Sequence, residues 1–443
     1  MQNRHHQIKQ LSPVFFLAAI YLVWLLMVLI IFGYTPTNDG LGYVDYARQC
    51  LNEGAPYPTV SIYKEAPFVW NIGIINLIEL SLWLTKSIWP VLLVMCLMKA
   101  ATGLFMALTA EKLFGNSKVA IVALLLFMLY PNNWGQSTMI SSEIPSTCLA
   151  VVAVYLVVSR RQSLKMMALA GLLLALANWF RPTALIFIVS IILFILIYDR
   201  RQALKRLAYL LGAFALFAVS VGAICYFRTG HFVYQARSYW FSMVDECYDG
   251  APVAPHWGQP IWPKGYPRYI ENYEQMDCFE YERIWKERSL NWLKDHKLEY
   301  LKKIPGRLYY MYQSDYDNMS AFLKDKSRSE NNHITLPYRR LLSQSSSFSF
   351  AQWLSLVCLL FYIVLLVLAV MGSYRMMRKR QYKQLFLPLF IVVGGSLAIV
   401  LVMHGETRFK DPFMPYIFML SAVTVAYWQT KRRKGRITHH KRS

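Results

Sequence analysis

The chain has 443 residues, of which 56% are hydrophobic and 16% charged, and its formal net charge is +22. That is more apolar side chain than a soluble core needs, and it is gathered into blocks, which excludes a soluble globular enzyme and indicates an integral membrane protein. There is no GxxxxGK[ST] loop, no GxGxxG after a strand, no HExxH and no CxxC pair. Nucleotide hydrolysis, dinucleotide binding and zinc chemistry therefore lack their usual ligands. The nine histidines are scattered, with HH pairs only near the basic ends, so neither a metal nor a cofactor is expected.

A helix needs about 20 mainly apolar residues to cross roughly 30 Å of hydrocarbon. In chain order the apolar blocks predict spans at Val14–Gly33, Ile88–Thr109, Val119–Leu129 with its flanks, Ile144–Val158, Met167–Phe180, Thr183–Tyr198, Tyr209–Phe227, Phe350–Gly372, Leu385–Met403 and Phe413–Trp428. The fold class expected is all-α and polytopic, with about ten transmembrane helices. The first block is too long for a signal-peptide core and lacks a small-residue cleavage site, so no cleavable signal is expected.

Lys and Arg collect in "NRHHQIKQ", "EKLFGNSK", "SRRQSLK", "DRRQALKR", "YRMMRKRQYK" and "KRRKGRITHHKR", which are alternate connections plus both tails. The positive-inside rule places these segments and both termini in the cytoplasm. Short tails beside spans are basic for insertion and for attraction to anionic lipid, so no nucleic-acid partner is expected. Compactness favours a bacterial inner membrane.

The unusual sequence then falls on the external face. Three parts are expected: residues 1–227, a membrane module whose first external loop (34–87) carries the chemistry; residues 228–349, a small external (periplasmic) cap; and residues 350–443, the last spans and a basic tail. In the first loop, "LGYVDYARQCLNEG" reads as an amphipathic helix. "FVWNIGIINLIELSLWLT" reads as interfacial, because a spanning placement would reverse every later loop. The cap is dense in Trp, Tyr and Pro, which suits either the C–H faces of a sugar or an interfacial aromatic belt. Cys247 and Cys278 lie on the same external side, and a disulfide between them is left open.

Charged residues cluster in sequence at the outer membrane face. Asp39 follows the first span and Asp45 comes next; Lys64 precedes "EAPFVW"; Glu143 opens the fourth span; Arg181 interrupts "ALANWFRPTALIF"; and Glu406 and Arg408 sit in "HGETRFKDPFMPY". Ionisable groups near bilayer depth are costly, so they pair, face a cavity, or both. Singly, each reads equally as a helix cap or an interface anchor. Together they suit transfer of a group from a lipid phosphate, with a carboxylate taking a proton from a hydroxyl and Arg or Lys stabilising the leaving phosphate.

"DGLGYVDYARQCLNEGAPYP" resembles the D-x-x-x-Y-x-x-x-A-x-x-L-x-x-G-x-x-YP segment of polytopic GT-C glycosyltransferases (family 39-like), the class of the protein O-mannosyltransferases and the bacterial lipid A aminoarabinose transferase. The resemblance continues in "SSEIPSTCLAVVAVYLV", "GLLLALANWFRPTAL" and "HGETRFKDPFMPYIFML", the last matching an R-[YF]-x-x-P-x-x-P element. It implies a GT-C fold and inverting transfer of a hexosyl or pentosyl group from a polyprenyl-phosphate donor to a glycan, lipid or protein hydroxyl on the outer face. Asp39 is then the general base. Lys64, Arg181 and Arg408 hold the donor phosphate, and Glu143, Glu406 and Asp45 orient groups or bind acceptor. The second acid that many members carry beside the aspartate is absent here, where Asn38 and Gly40 flank Asp39. Two other readings stay open: a surface-polysaccharide polymerase or ligase using diphosphate-linked donors, and a lipid or sugar transporter.

Overall fold

The computed structural model describes residues 2–54, 71–159, 163–237, 239–247, 264–265, 267–272, 276, 278–315, 317–323 and 350–440. Among these residues the chain is all-helical, with no strand. The helices are α1 (Gln2–Phe32), α2 (Asn38–Asn52), α3 (Ile72–Thr85), α4 (Trp89–Phe114), α5 (Ser117–Leu129), α6 (Pro131–Gln136), α7 (Glu143–Ser159), α8 (Leu164–Phe180), α9 (Ala184–Tyr198) and α10 (Ala203–Thr229). The stretch after α10 holds α11 (Tyr239–Cys247), α12 (Cys278–Asp295), α13 (Lys297–Lys302), α14 (Ile304–Tyr312) and α15 (Asp317–Phe322). The chain closes with α16 (Phe350–Arg378), α17 (Tyr382–Val402), a 3-10 helix (Thr407–Phe413) and α18 (Met414–His440).

Each predicted span coincides with a helix. Among the described residues five segments are long and apolar enough to cross a membrane: Pro13–Phe32, Trp89–Phe114, Arg200–Thr229, Gln352–Arg378 and Tyr382–Val402. Helices α3, α5, α7, α8 and α9 are apolar but have only 14, 13, 17, 17 and 15 residues. At 1.5 Å per residue they rise about 20–26 Å, less than the hydrocarbon thickness. The boundaries have local causes: Pro90 sits in the first turn of α4, and Gly115 ends it in the left-handed conformation with φ 61°.

One large apolar core joins α1, α4, α5, α7, α8, α9, α16, α17 and α18. Helices α8 and α10 approach closely because Gly171 lies against the Leu210 backbone: a Cβ there would fall 2.0 Å from the Leu210 carbonyl oxygen. A second core gathers Val233, Val244, Ile270, Tyr281 and Trp285, which follow α10, with Ile72 of α3 and Val221 and Cys225 of α10. Cys247 is a buried free thiol whose Sγ lies 3.7 Å from the Ser289 carbonyl oxygen. This packing brings three helix ends, the starts of α2 and α7 and the end of α8, together with the 3-10 helix before α18.

Candidate active site

The position of Asp39 follows from how the chain leaves α1. The Thr35 N–H donates to the Thr138 carbonyl at 3.0 Å, and the Thr138 hydroxyl donates to Thr35 Oγ1 at 2.8 Å, which pins the exit. Thr37 then caps α2, its Oγ1 accepting from the Gly40 N–H at 3.1 Å. Asp39 falls in the first helical turn, where unpaired N–H groups favour a negative charge. Across from it, the 3-10 helix presents Arg408, whose Nη1 donates to the Asp39 carboxylate. Arg408 Nε lies 2.9 Å from Glu406 Oε2. These three side chains are 27–37% exposed, so the pair is open to a substrate.

Beside them lies a drier pair. Glu143 opens α7 and Arg181 follows the last residue of α8, and the two meet at 2.5 Å. Ser141 donates its hydroxyl to Glu143 at 2.8 Å, while Arg181 Nη1 also donates to Ser142 Oγ at 3.2 Å. Asn71 donates to both the Tyr43 hydroxyl at 2.9 Å and Ser142 Oγ at 3.0 Å, tying α2 to the start of α7. The Phe409 ring lies 5.5 Å from the Arg181 guanidinium and 5.8 Å from that of Arg408, joining the two pairs.

Five predicted residues, Asp39, Glu143, Arg181, Glu406 and Arg408, thus meet at one site. Asp45 does not: it is on the exposed face of α2 and pairs with Arg48 at 3.3 Å. Lys64 lies outside the described residues.

Burial raises the Glu406 carboxyl, but Arg408 and His404 outweigh it and hold the group well below the usual carboxylate range. Burial works against the Arg408 guanidinium, but Glu406, Asp39 and Glu143 outweigh it and keep the group charged. The Tyr43 phenol is pushed up to about 12 by burial and by Asp39 and Glu143, so it is a neutral donor at physiological pH.

Other residues escaped the sequence reading. Beneath Arg408, the buried Lys410 ammonium donates to the Ser314 and Thr407 carbonyls, both at 2.7 Å, and pairs with Asp315 at 3.1 Å. Asp315 also accepts from Tyr130 and, at 3.1 Å, from Asn132. Gln136 donates to Asp411 at 2.6 Å and accepts from Lys99. Burial first, then Asp315, pushes the Asp411 carboxyl up to about 7, against the pull of Lys410 and Lys99. A small, partly open cavity is lined by Lys99, Gln136, Glu143, Asp315 and Asp411, among others, so Glu143 borders both layers. One signal was present: Lys99 is a cation inside an apolar helix, which by itself marks a polar interior.

Residues 67–224 match the family model of the dolichyl-phosphate-mannose-protein mannosyltransferases. The matched stretch contains Glu143 and Arg181 and stops before Arg408. Comparison with curated proteins gives no match. The family match supports the GT-C resemblance carried by the motifs and, with the long apolar helices, supports a membrane glycosyltransferase of the GT-C type.

Proposed function

We propose that this glycosyltransferase moves a sugar from a polyprenyl-phosphate donor to a hydroxyl group on the external face of the membrane, with inversion. The acceptor oxygen attacks the anomeric carbon from the side opposite the phosphate. The carbon–oxygen bond to phosphate breaks, its electron pair leaves with the phosphate, and Asp39 takes the acceptor proton. Arg408 and Arg181, with Lys64, bind the phosphate and stabilise its growing charge. Glu406 and Glu143 orient the two arginines, and Asp45 would meet only an acceptor arriving from outside.

The observation that carries this reading is the Asp39–Arg408 pair, which joins residues 369 positions apart in a half-open site. It puts a carboxylate base beside a guanidinium suited to phosphate. An arriving phosphate competes for Arg408 and loosens its hold on Asp39, leaving the carboxylate toward the acceptor. The site is near the membrane because the lipid phosphate cannot leave the interface.

The same reading includes about ten crossings, both termini in the cytoplasm and an inner (plasma) membrane location. It also keeps the three-part organisation, with the cap supplying acceptor recognition and the spans a groove for the isoprenoid tail. The test is a donor panel in nanodiscs with membrane extract as acceptor. Consumption of monophosphate-linked sugars with inverted products is expected; consumption of diphosphate-linked oligosaccharides alone would replace this reading with a polymerase or ligase.

A further inference from the structure

One titratable residue beside the site has no part in the reaction above. His404 lies in the loop between α17 and the 3-10 helix, and its two ring nitrogens face carboxylates from different parts of the chain. Nδ1 is 3.7 Å from Glu246 Oε1 on α11, and Nε2 is 3.7 Å from Glu406 Oε2. Beyond Glu246 comes Arg307 of α14, at 2.9 Å. Beyond Glu406 come Arg408 and then Asp39. The string Arg307–Glu246–His404–Glu406–Arg408–Asp39 therefore runs from the external segment to the candidate base.

With a charged imidazole the signs alternate without a break. With a neutral one, the Glu246 and Glu406 carboxylates confront each other across an uncharged ring. Imidazole is the side chain whose ordinary titration falls near neutral pH, and His404 is half-exposed, so protons reach it. The loop is also fitted to α14: a Cβ on Gly405 would fall 1.8 Å from the Arg307 carbonyl oxygen. Lys303 strengthens the same junction by donating to the Glu246 carbonyl at 3.1 Å.

We propose that His404 is a positioning residue: protonated, it ties α11 to the loop bearing Glu406 and so fixes Arg408 against Asp39, and deprotonation releases the tie. Its effect on sugar transfer rests on the proposed function; the tie itself does not. The charged groups facing it are Glu246 and Asp245 of α11, Glu406 and Arg408 of its own loop and the 3-10 helix, and Arg307 of α14 behind Glu246. Asp245 is paired with Arg268, and burial pushes its carboxyl up to about 6 against the pull of Arg268 and His404. It therefore titrates within the range of the test, and its effect must be separated from that of the imidazole.

The test is hydrogen exchange of the α11 amides in donor-free protein, corrected for intrinsic rates, at about pH 5.5 and about pH 8 for wild type, His404→Gln and His404→Arg. Wild-type protection is expected to fall by about tenfold across this range. His404→Gln should be weakly protected at both values and His404→Arg strongly protected at both. A wild type that does not respond to pH, or a His404→Gln protein that keeps the full wild-type response and so assigns it to Asp245, would overturn the proposal. No sugar donor is present, so failure of the transferase reading would leave this result standing. Transfer by the same three proteins should follow their protection, and transfer indifferent to His404→Gln would overturn the link to Arg408.

Discussion

A guanidinium can engage two carboxylates at once because its nitrogens lie in a fixed plane, and Arg408 faces Asp39 through Nη1 and Glu406 through Nε. A lysine offers one compact charge on a flexible stem and lacks the planar fork that fixes both carboxylates in this geometry. Arg408→Lys should therefore lower transfer by roughly 10- to 100-fold while keeping the charge, measured as kcat/KM against wild type. At the neighbouring pair the consequence is for stability. Glu143 and Arg181 side chains are only 9% and 11% exposed, so Arg181→Ala strands a buried carboxylate. The expected cost is about 3–5 kcal/mol, and Glu143→Gln in the same protein should return much of it in a thermal unfolding comparison. Single residues were legible in the sequence where a charge interrupts an apolar run, as Arg181 and Glu143 do. Glu246, Arg307 and Asp315 were not, because each lies in a polar stretch and its partner is distant in the chain.

The 3-10 helix Thr407–Phe413 is the element on which the site depends. It turns Arg408 toward Asp39 while Lys410 and Asp411 enter the polar interior, so the inner cluster anchors what the outer site presents. Asp411 makes that anchor sensitive to pH. Its carboxyl is raised from the ordinary 3.8 to about 7, so its contribution to stability is full below 3.8 and is lost as pH rises through about 7. The unfolding midpoint of wild type should fall between about pH 6 and about pH 8, and Asp411→Asn should reduce that fall, as read by thermal shift across pH. Helix positions were legible because apolar blocks and caps mark them. That the "TRFKDPF" turn faces two ways was not, since a short 3-10 segment has no periodicity long enough to reveal its buried side.

At the scale of the whole molecule, the proposed orientation puts α4–α5 at the cytoplasmic surface and α12 outside. Lys118 and Lys294 are both exposed and lie on opposite sides in this arrangement. In a cysteine-free background and sealed cells, a membrane-impermeant thiol reagent should label Lys294→Cys and spare Lys118→Cys; the reverse pattern would invert the topology. The bundle could be read from the sequence because hydropathy and charge alternation are independent signals that agree. Its depth in the bilayer could not, because helices of 13–17 residues carry the same apolar composition as spans without the length to settle how they cross. The joining of α11–α15 to the main bundle was equally hidden, since it depends on contacts such as Glu246 to His404.

The most direct test of the central claim is Asp39→Asn, with turnover and donor affinity measured separately on the same protein. Loss of a general base predicts a fall in kcat of about 10²–10⁴-fold with donor affinity changed little. An Asp39→Asn protein that turns over like wild type would contradict the assignment of this carboxylate as the base and, with it, the reaction centre at Asp39 and Arg408.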